Sequence, residues 1–174
     1  MAKLPIVLAP DPVLKTKAKP VEAVDDSIRQ LMDDMLETMY AAPGIGLAAN
    51  QIGVLKRVLV LAVAREGDAP KPIGMANPEV VWRSDEMSTY NEGCLSLPEH
   101  YADITRPAAV RVRYVDRDGA KQEIEADGLL ATCIQHEIDH LDGILFVDHL
   151  SALKRNMILK KLVKLKKQRA EDGE

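Results

Sequence analysis

The sequence predicts an α+β fold with an N-terminal helix, several strands, a helix that carries two histidines and a basic C-terminal helix. Three observations lead there. Between Ile28 and Met39 the apolar side chains recur three and four apart, the period of a helix with one buried face. Val58–Val63 is a continuous apolar run rich in β-branched valine and Val110–Val115 alternates, the two patterns that strands show. His136-Glu137-Ile138-Asp139-His140 sets two imidazoles four residues apart, the spacing that a helix turns onto a single face.

Taken in order, the opening as far as Val24 is punctuated by Pro5, Pro10, Pro12 and Pro20 and reads as an extended segment with turns. Asp25 or Asp26 caps the first helix, whose stripe is Ile28, Leu31, Met32, Met35, Leu36 and Met39, and Pro43-Gly44 ends it. Gly44 to Gly53 is small and apolar with Asn50-Gln51 at its centre, and reads as a loop that packs closely on its surroundings. A strand at Val58–Val63 follows, then a turn at Glu66 to Pro70 and a weaker strand between Pro78 and Trp82. Asp118-Gly119 turns the alternating strand into another, Lys121 to Ala126. Asp127 is placed to cap the histidine-bearing helix and Gly143 to end it. The last helix runs from a Ser151 cap to about Arg169 without one clean apolar stripe, so it is expected to dock only in part. No repeat or linker divides the chain. One domain over residues 1–174 is expected, with 151–174 as its basic helix and tail.

Composition narrows the function. With 47% apolar and 29% charged residues the chain is an ordinary globular domain, and no apolar run approaches a membrane span. Two cysteines do not build a disulfide framework, and the first residues lack the apolar core of a signal peptide, so a cytoplasmic location is expected. Residues 1–150 carry 15 Lys/Arg against 24 Asp/Glu, a net of −9, whereas 151–174 carry 8 against 3, a net of +5. The body would repel DNA, and only the tail suits an anionic surface.

His-Glu-x-x-His on a helix grips one cation through both histidines, with the glutamate in reach of a water beside it. A catalytic tetrahedral site needs a third protein ligand. Phe146 stands where a metzincin would have its third histidine. The thermolysin solution fails too, since no glutamate occurs between Phe146 and Ala170; Asp148 and His149 are the remaining ligand types there. Cys133 lies seven residues from His140, a rise of about 10 Å along one helix, too far for three ligands on one ion. Asp148 and His149, just past the helix end, stay as weaker candidates beside Cys94, which is set among polar, turn-forming neighbours.

Three stretches together resemble the signature motifs of the bacterial peptide deformylases: Gly44-Ile45-Gly46-Leu47-Ala48-Ala49-Asn50-Gln51, Glu92-Gly93-Cys94-Leu95-Ser96 and Gln135-His136-Glu137-Ile138-Asp139-His140. The resemblance implies that Cys94, His136 and His140 bind the metal, usually Fe2+, with Zn2+, Ni2+ or Co2+ able to take the same site. It implies that Glu137 is the acid/base, that Gln51 and the Leu95 backbone amide face the reacting oxygen, and that antiparallel strands are arranged around the central motif-bearing helix. The implied substrate is a nascent polypeptide beginning with N-formylmethionine, and the basic C-terminal helix would then meet ribosomal RNA.

Ile45, Leu129, Thr132 and Cys133 are the expected walls of an apolar substrate pocket, and Gly44, Gly46 and Gly93 would let the peptide backbone approach. Thr132 and Tyr101 depart from the resemblance, standing where a bulkier aliphatic residue and an arginine are common. The rival readings are a zincin-type metallopeptidase, which leaves Cys94 and Gln51 without a task, and a non-catalytic metal scaffold, which does the same to Glu137.

Overall fold

A computed structural model describes residues 2–64 and 68–173. Glu66 and Gly67 of the expected turn therefore lie outside the described residues. The first helix, α1 (Asp26–Ala41), starts where Asp25 accepts a hydrogen bond from the Ile28 amide at 3.0 Å. Its buried face is Ile28, Met32, Met35 and Met39. Fully burying one such side chain contributes about 1.5–3 kcal/mol.

Five antiparallel strands form the main sheet, in the order β1 (Gly46–Ala48), β2 (Val58–Val63), β3 (Lys71–Arg83), β6 (Ala109–Val115) and β7 (Lys121–Asp127). β2 is buried at every position because both its faces are covered. Val58, Val60 and Ala62 pack toward α1, while Leu59, Leu61 and Val63 pack toward α2 (Gly128–Leu141). Side chains alternate along a strand, so a strand between two helices must be apolar throughout, which accounts for its unbroken run.

A separate hairpin, β4 (Met87–Cys94) with β5 (Leu97–Pro107), closes over the other side of α2. Helix α2 is thus enclosed between sheet and hairpin, and everything from Leu130 to Ile138 is buried. The last helix, α3 (Ala152–Glu171), is capped by Ser151, which accepts from the Lys154 amide. Leu162 is its single buried residue, as partial docking requires.

The structure corrects three expectations. The stretch from Gly44 to Gly53 is not simply a loop: Gly46–Ala48 pairs with β2 and Ala49–Ile52 forms a 3-10 turn. The segment around Pro78 is one strand of 13 residues with irregular register. Asp127 stands at the N-cap of α2, but its side chain makes no cap hydrogen bond. The polar stretch around Cys94 does hold a turn, Leu95-Ser96, which joins the two strands of the hairpin; side chains cross between those strands, as in Thr89 with Thr105 and Asn91 with Asp103. Gly143 does end α2: its φ is +76°, and a Cβ there would fall 2.6 Å from the Lys15 carbonyl oxygen.

Candidate metal centre

The buried helix α2 delivers His136 and His140 one turn apart, with ring centroids 5.0 Å from each other. Strand β4 ends at Cys94, placing its Sγ 3.2 Å from Nε2 of His140. Ligand atoms of Cys94, His136 and His140 all lie within 4.8 Å of one another, close enough for one cation to join them. One soft sulfur and two imidazoles form a donor set suited to a divalent transition metal.

The rest of the surroundings fit such an ion. Glu92 Oε1 lies 2.9 Å from Nδ1 of His136, so that nitrogen carries the proton and Nε2 is left for a cation. Arg106 holds Glu92 in turn through two bonds of 2.7 and 2.9 Å and reaches Asp139 at 2.8 Å. Both Glu92 and Arg106 are buried, and the forked guanidinium satisfies the two carboxylates that flank the ligands in sequence. Burial pulls His140 well below the usual histidine range, keeping it in the neutral form that a metal binds. Burial acts the same way on His136, but its hydrogen bonds to Cys94 and Glu92 outweigh that and raise it well above the range. The site thus favours a positive charge there, which a cation on Nε2 would supply in place of the proton. The Phe146 ring stacks on His136 at 6.3 Å, in the position where another class of enzyme would supply a ligand.

Gln51 approaches from the other side. Its Oε1 accepts from the Ala48 amide at 3.0 Å, which turns the NH2 group toward Ser96 Oγ at 3.1 Å and Cys94 Sγ at 3.4 Å. Glu137 is 4% exposed, and its Oε1 is buried with no partner among the described residues. Burial pushes its carboxyl up to about 7, so it can take and return a proton near neutrality. Leu95 occupies the tight link between β4 and β5 and lines the same cavity.

That cavity measures about 730 Å³, within the range of small-ligand pockets. Gly44, Ile45, Gly46, Gly93, Leu129, Thr132 and Cys133 all line it, together with Cys94, His136 and Glu137. Thr132 and Cys133 are buried in its floor, whereas Ile45 and Leu129 are nearly half exposed at its mouth. Burial also pushes the Cys133 thiol well up, consistent with an inert wall. His140 is the one expected site residue outside the lining, behind Cys94. The glycines also serve their own neighbours: a Cβ on Gly46 would sit 2.5 Å from Glu137 Oε2 and 2.9 Å from Cys133 Sγ. Asp148 and His149 are elsewhere, the former with Lys15 and the latter 2.9 Å from Asp139.

Comparison with known proteins decides the family. The sequence model of the polypeptide deformylases matches residues 3–156. The chain belongs to the polypeptide deformylase family. The peptide deformylase of Agrobacterium fabrum is 59% identical over 160 residues, 92% of this chain and 94% of that protein. The Methylocella silvestris peptide deformylase is 60% identical over 171 residues, 97% of this chain and 87% of that protein. A crystal structure of peptide deformylase from Ehrlichia chaffeensis superposes with a TM-score of 0.92 at 42% identity, covering 97% of this chain and 99% of that one. A second Ehrlichia structure, in complex with actinonin, gives 0.91 at 45% identity, covering 94% and 98%. The family is metal-dependent, and its function is hydrolytic removal of the N-formyl group from the formylmethionine of newly made polypeptides, with release of formate. The chain is an enzyme of that kind.

Four deformylase residues around the metal centre have no role that the sequence alone suggests: Glu92, Ser96, Arg106 and Asp139. A signal is present for two of them, since Glu92 stands two residues before Cys94 and Asp139 immediately before His140. An acid beside a metal ligand is often the group that orients another ligand. Arg106 and Ser96 have no such mark.

Proposed function

We propose that Cys94, His136 and His140 hold ferrous iron, that Glu137 is the acid/base of the deformylation, and that Gln51 and the Leu95 backbone amide receive the formyl oxygen. Zinc, nickel or cobalt would suit the same donors. The observation that carries this reading is the convergence of three ligand atoms within 4.8 Å beside a buried, unpartnered Glu137 oxygen.

When bound, the metal supplies Lewis-acid polarisation and lowers the pKa of water toward neutrality. Glu137 takes one proton from the attacking water as the new C–O bond forms at the formyl carbon. As the carbonyl oxygen gains negative charge, the Gln51 Nε2–H and Leu95 N–H donate to it. Glu137 then returns the proton to the departing nitrogen as the C–N bond breaks, leaving formate and a free amine. Thr132, Cys133, Leu129 and Ile45 surround the methionine side chain, while the glycine-bearing segments Gly44–Gly46 and Gly93 run beside the peptide backbone.

The same reading treats residues 1–174 as one catalytic domain working in the cytoplasm, with the basic helix of residues 151–174 facing the ribosome. The deciding experiment offers formyl-Met-Ala-Ser and its unformylated twin to protein loaded with iron under anaerobic conditions. Formate release without internal cleavage supports the assignment; cleavage at peptide bonds overturns it. Glu137→Ala should keep its metal and lose turnover, and loss of metal instead would refute the role given to Glu137.

A further inference from the structure

The lining of the catalytic cavity contains one residue from far outside the three motifs. Arg169, near the C-terminal end of α3, borders the same space as Cys94 and Glu137. Its position is set by packing. Ile158, Leu159, Leu162 and Leu165 join the cluster built on Leu14, Leu97, Leu145 and Phe146. Arg169 lies four residues beyond Leu165 and seven beyond Leu162, on the same face of the helix. Lys166 adds a contact with Asp11 at 3.7 Å. Between α3 and the cavity runs the early segment of the chain, in which Val7 and Ala9 join that cluster while Ile6 and Leu8 face the cavity.

The charges around the cavity are unequal in their freedom. Glu92 is committed to Arg106 and His136, Glu137 is buried at the reacting end, and Glu99 is exposed on β5, a different wall from the one that carries Arg169. Arg169 is the one Lys or Arg among the described lining residues. It is half-buried, and the ion pairs among the described residues include no partner for it. With the formyl group at the buried centre, the rest of the substrate must leave by the open side. A cation there meets the substrate's side chains a few residues behind the methionine.

We infer that Arg169 is a specificity-determining residue that favours nascent peptides bearing an acidic side chain shortly after the formylmethionine. The inference rests on the deformylase reading of the same cavity. An exposed ion pair of this kind supports about a two- to fivefold preference.

The test uses the iron-loaded full chain and a series of formyl-Met peptides, amidated at the C-terminus, with Glu or Lys placed in turn at the second, third and fourth positions. The readout is the Glu/Lys ratio of kcat/KM at each position. Wild type should favour Glu at one position at least, through KM, with the preference fading in high salt. Arg169→Glu should invert that ratio and Arg169→Lys should retain it, and thermal melting reports whether each variant is folded. A wild-type ratio near one at all three positions overturns the inference, as does a preference that persists in Arg169→Ala. If wild type fails to release formate from any formyl peptide, the deformylase reading itself has failed, a result distinct from both.

Discussion

Glu92 holds His136 from behind: Oε1 of the carboxylate lies 2.9 Å from Nδ1 of the imidazole, with Arg106 locking the carboxylate in place. Glu92→Ala therefore frees the ring to rotate and leaves the buried guanidinium with Asp139 as its remaining partner. Metal affinity should fall about 10–100-fold, measured by competition with a metal buffer. Stability should fall by about 3–5 kcal/mol in urea denaturation, because breaking a buried pair strands the other charge. Unchanged metal affinity would mean that the hydrogen bond does not orient the ligand.

Gln51→Ala removes a donor whose direction is set by the Ala48 amide. The expected loss in kcat is about 10²–10³-fold. Metal content should stay near that of wild type. A rise in KM with kcat intact would show that Gln51 binds ground state and transition state alike.

Gly46→Ala places a methyl 2.5 Å from Glu137 Oε2. Either the carboxylate or β1 must shift, and a displacement of about 1 Å at a catalytic group costs roughly 10²-fold in rate. The variant should still bind metal, since the atoms nearest the new Cβ belong to Glu137 and Cys133 and not to the proposed ligands. Wild-type turnover would show that Glu137 is free to move without loss.

Asp25 supplies the pH-dependent element of the first helix. Its hydrogen bonds from Ser27 Oγ and the Ile28 amide depress the carboxyl pKa below 3.8. A group depressed in the folded state contributes stability above its unfolded pKa and loses it as pH falls through the folded value. Asp25→Ala should thus lower the Tm at about pH 6, and the gap from wild type should close as pH drops below 3.8 toward the folded value. A gap that stays constant over that range would assign the effect to the side chain's shape and not to its charge.

Lys160, Lys161 and Lys164 form an exposed basic group on α3. Reversing all three to glutamate should weaken co-sedimentation with ribosomes more than hydrolysis of a short formyl peptide. The salt slope of binding should drop by about 0.7–0.9 for each phosphate that the tail no longer neutralises. Truncation after Leu150 is a poorer test, because it also strips Leu162 and Leu165 from the cluster around Phe146.

Much of this architecture is legible in the sequence because its signals are local. The α1 stripe, the doubly covered β2 and the His136–His140 spacing each follow from periodicity within one element. Cys94 stands out because Phe146 replaces a ligand, Cys133 fails on spacing, and its own stretch matches a deformylase motif. The β4–β5 hairpin is not legible: its alternating polar residues find their partners across the strand pair, as Asn91 does with Asp103, and carry no apolar period. Arg106 is equally hidden, since a buried arginine is recognised only by the two carboxylates that the fold brings to it. The short strand at Gly46–Ala48 is disguised by glycine and alanine, and at Gly46 Glu137 and Cys133 leave no room for a Cβ.

The cavity takes Ile6 and Leu8 from early in the chain and Arg169 from near its end. Its wall therefore cannot be finished until segments separated by almost the whole sequence have met, and the entropy of closing that loop is spent before their contacts repay it. The side of the pocket nearest α3 is therefore finished only when Leu162 and Leu165 have packed onto the cluster around Leu14 and Phe146, so turnover on longer formyl peptides reports that docking as well as the chemistry.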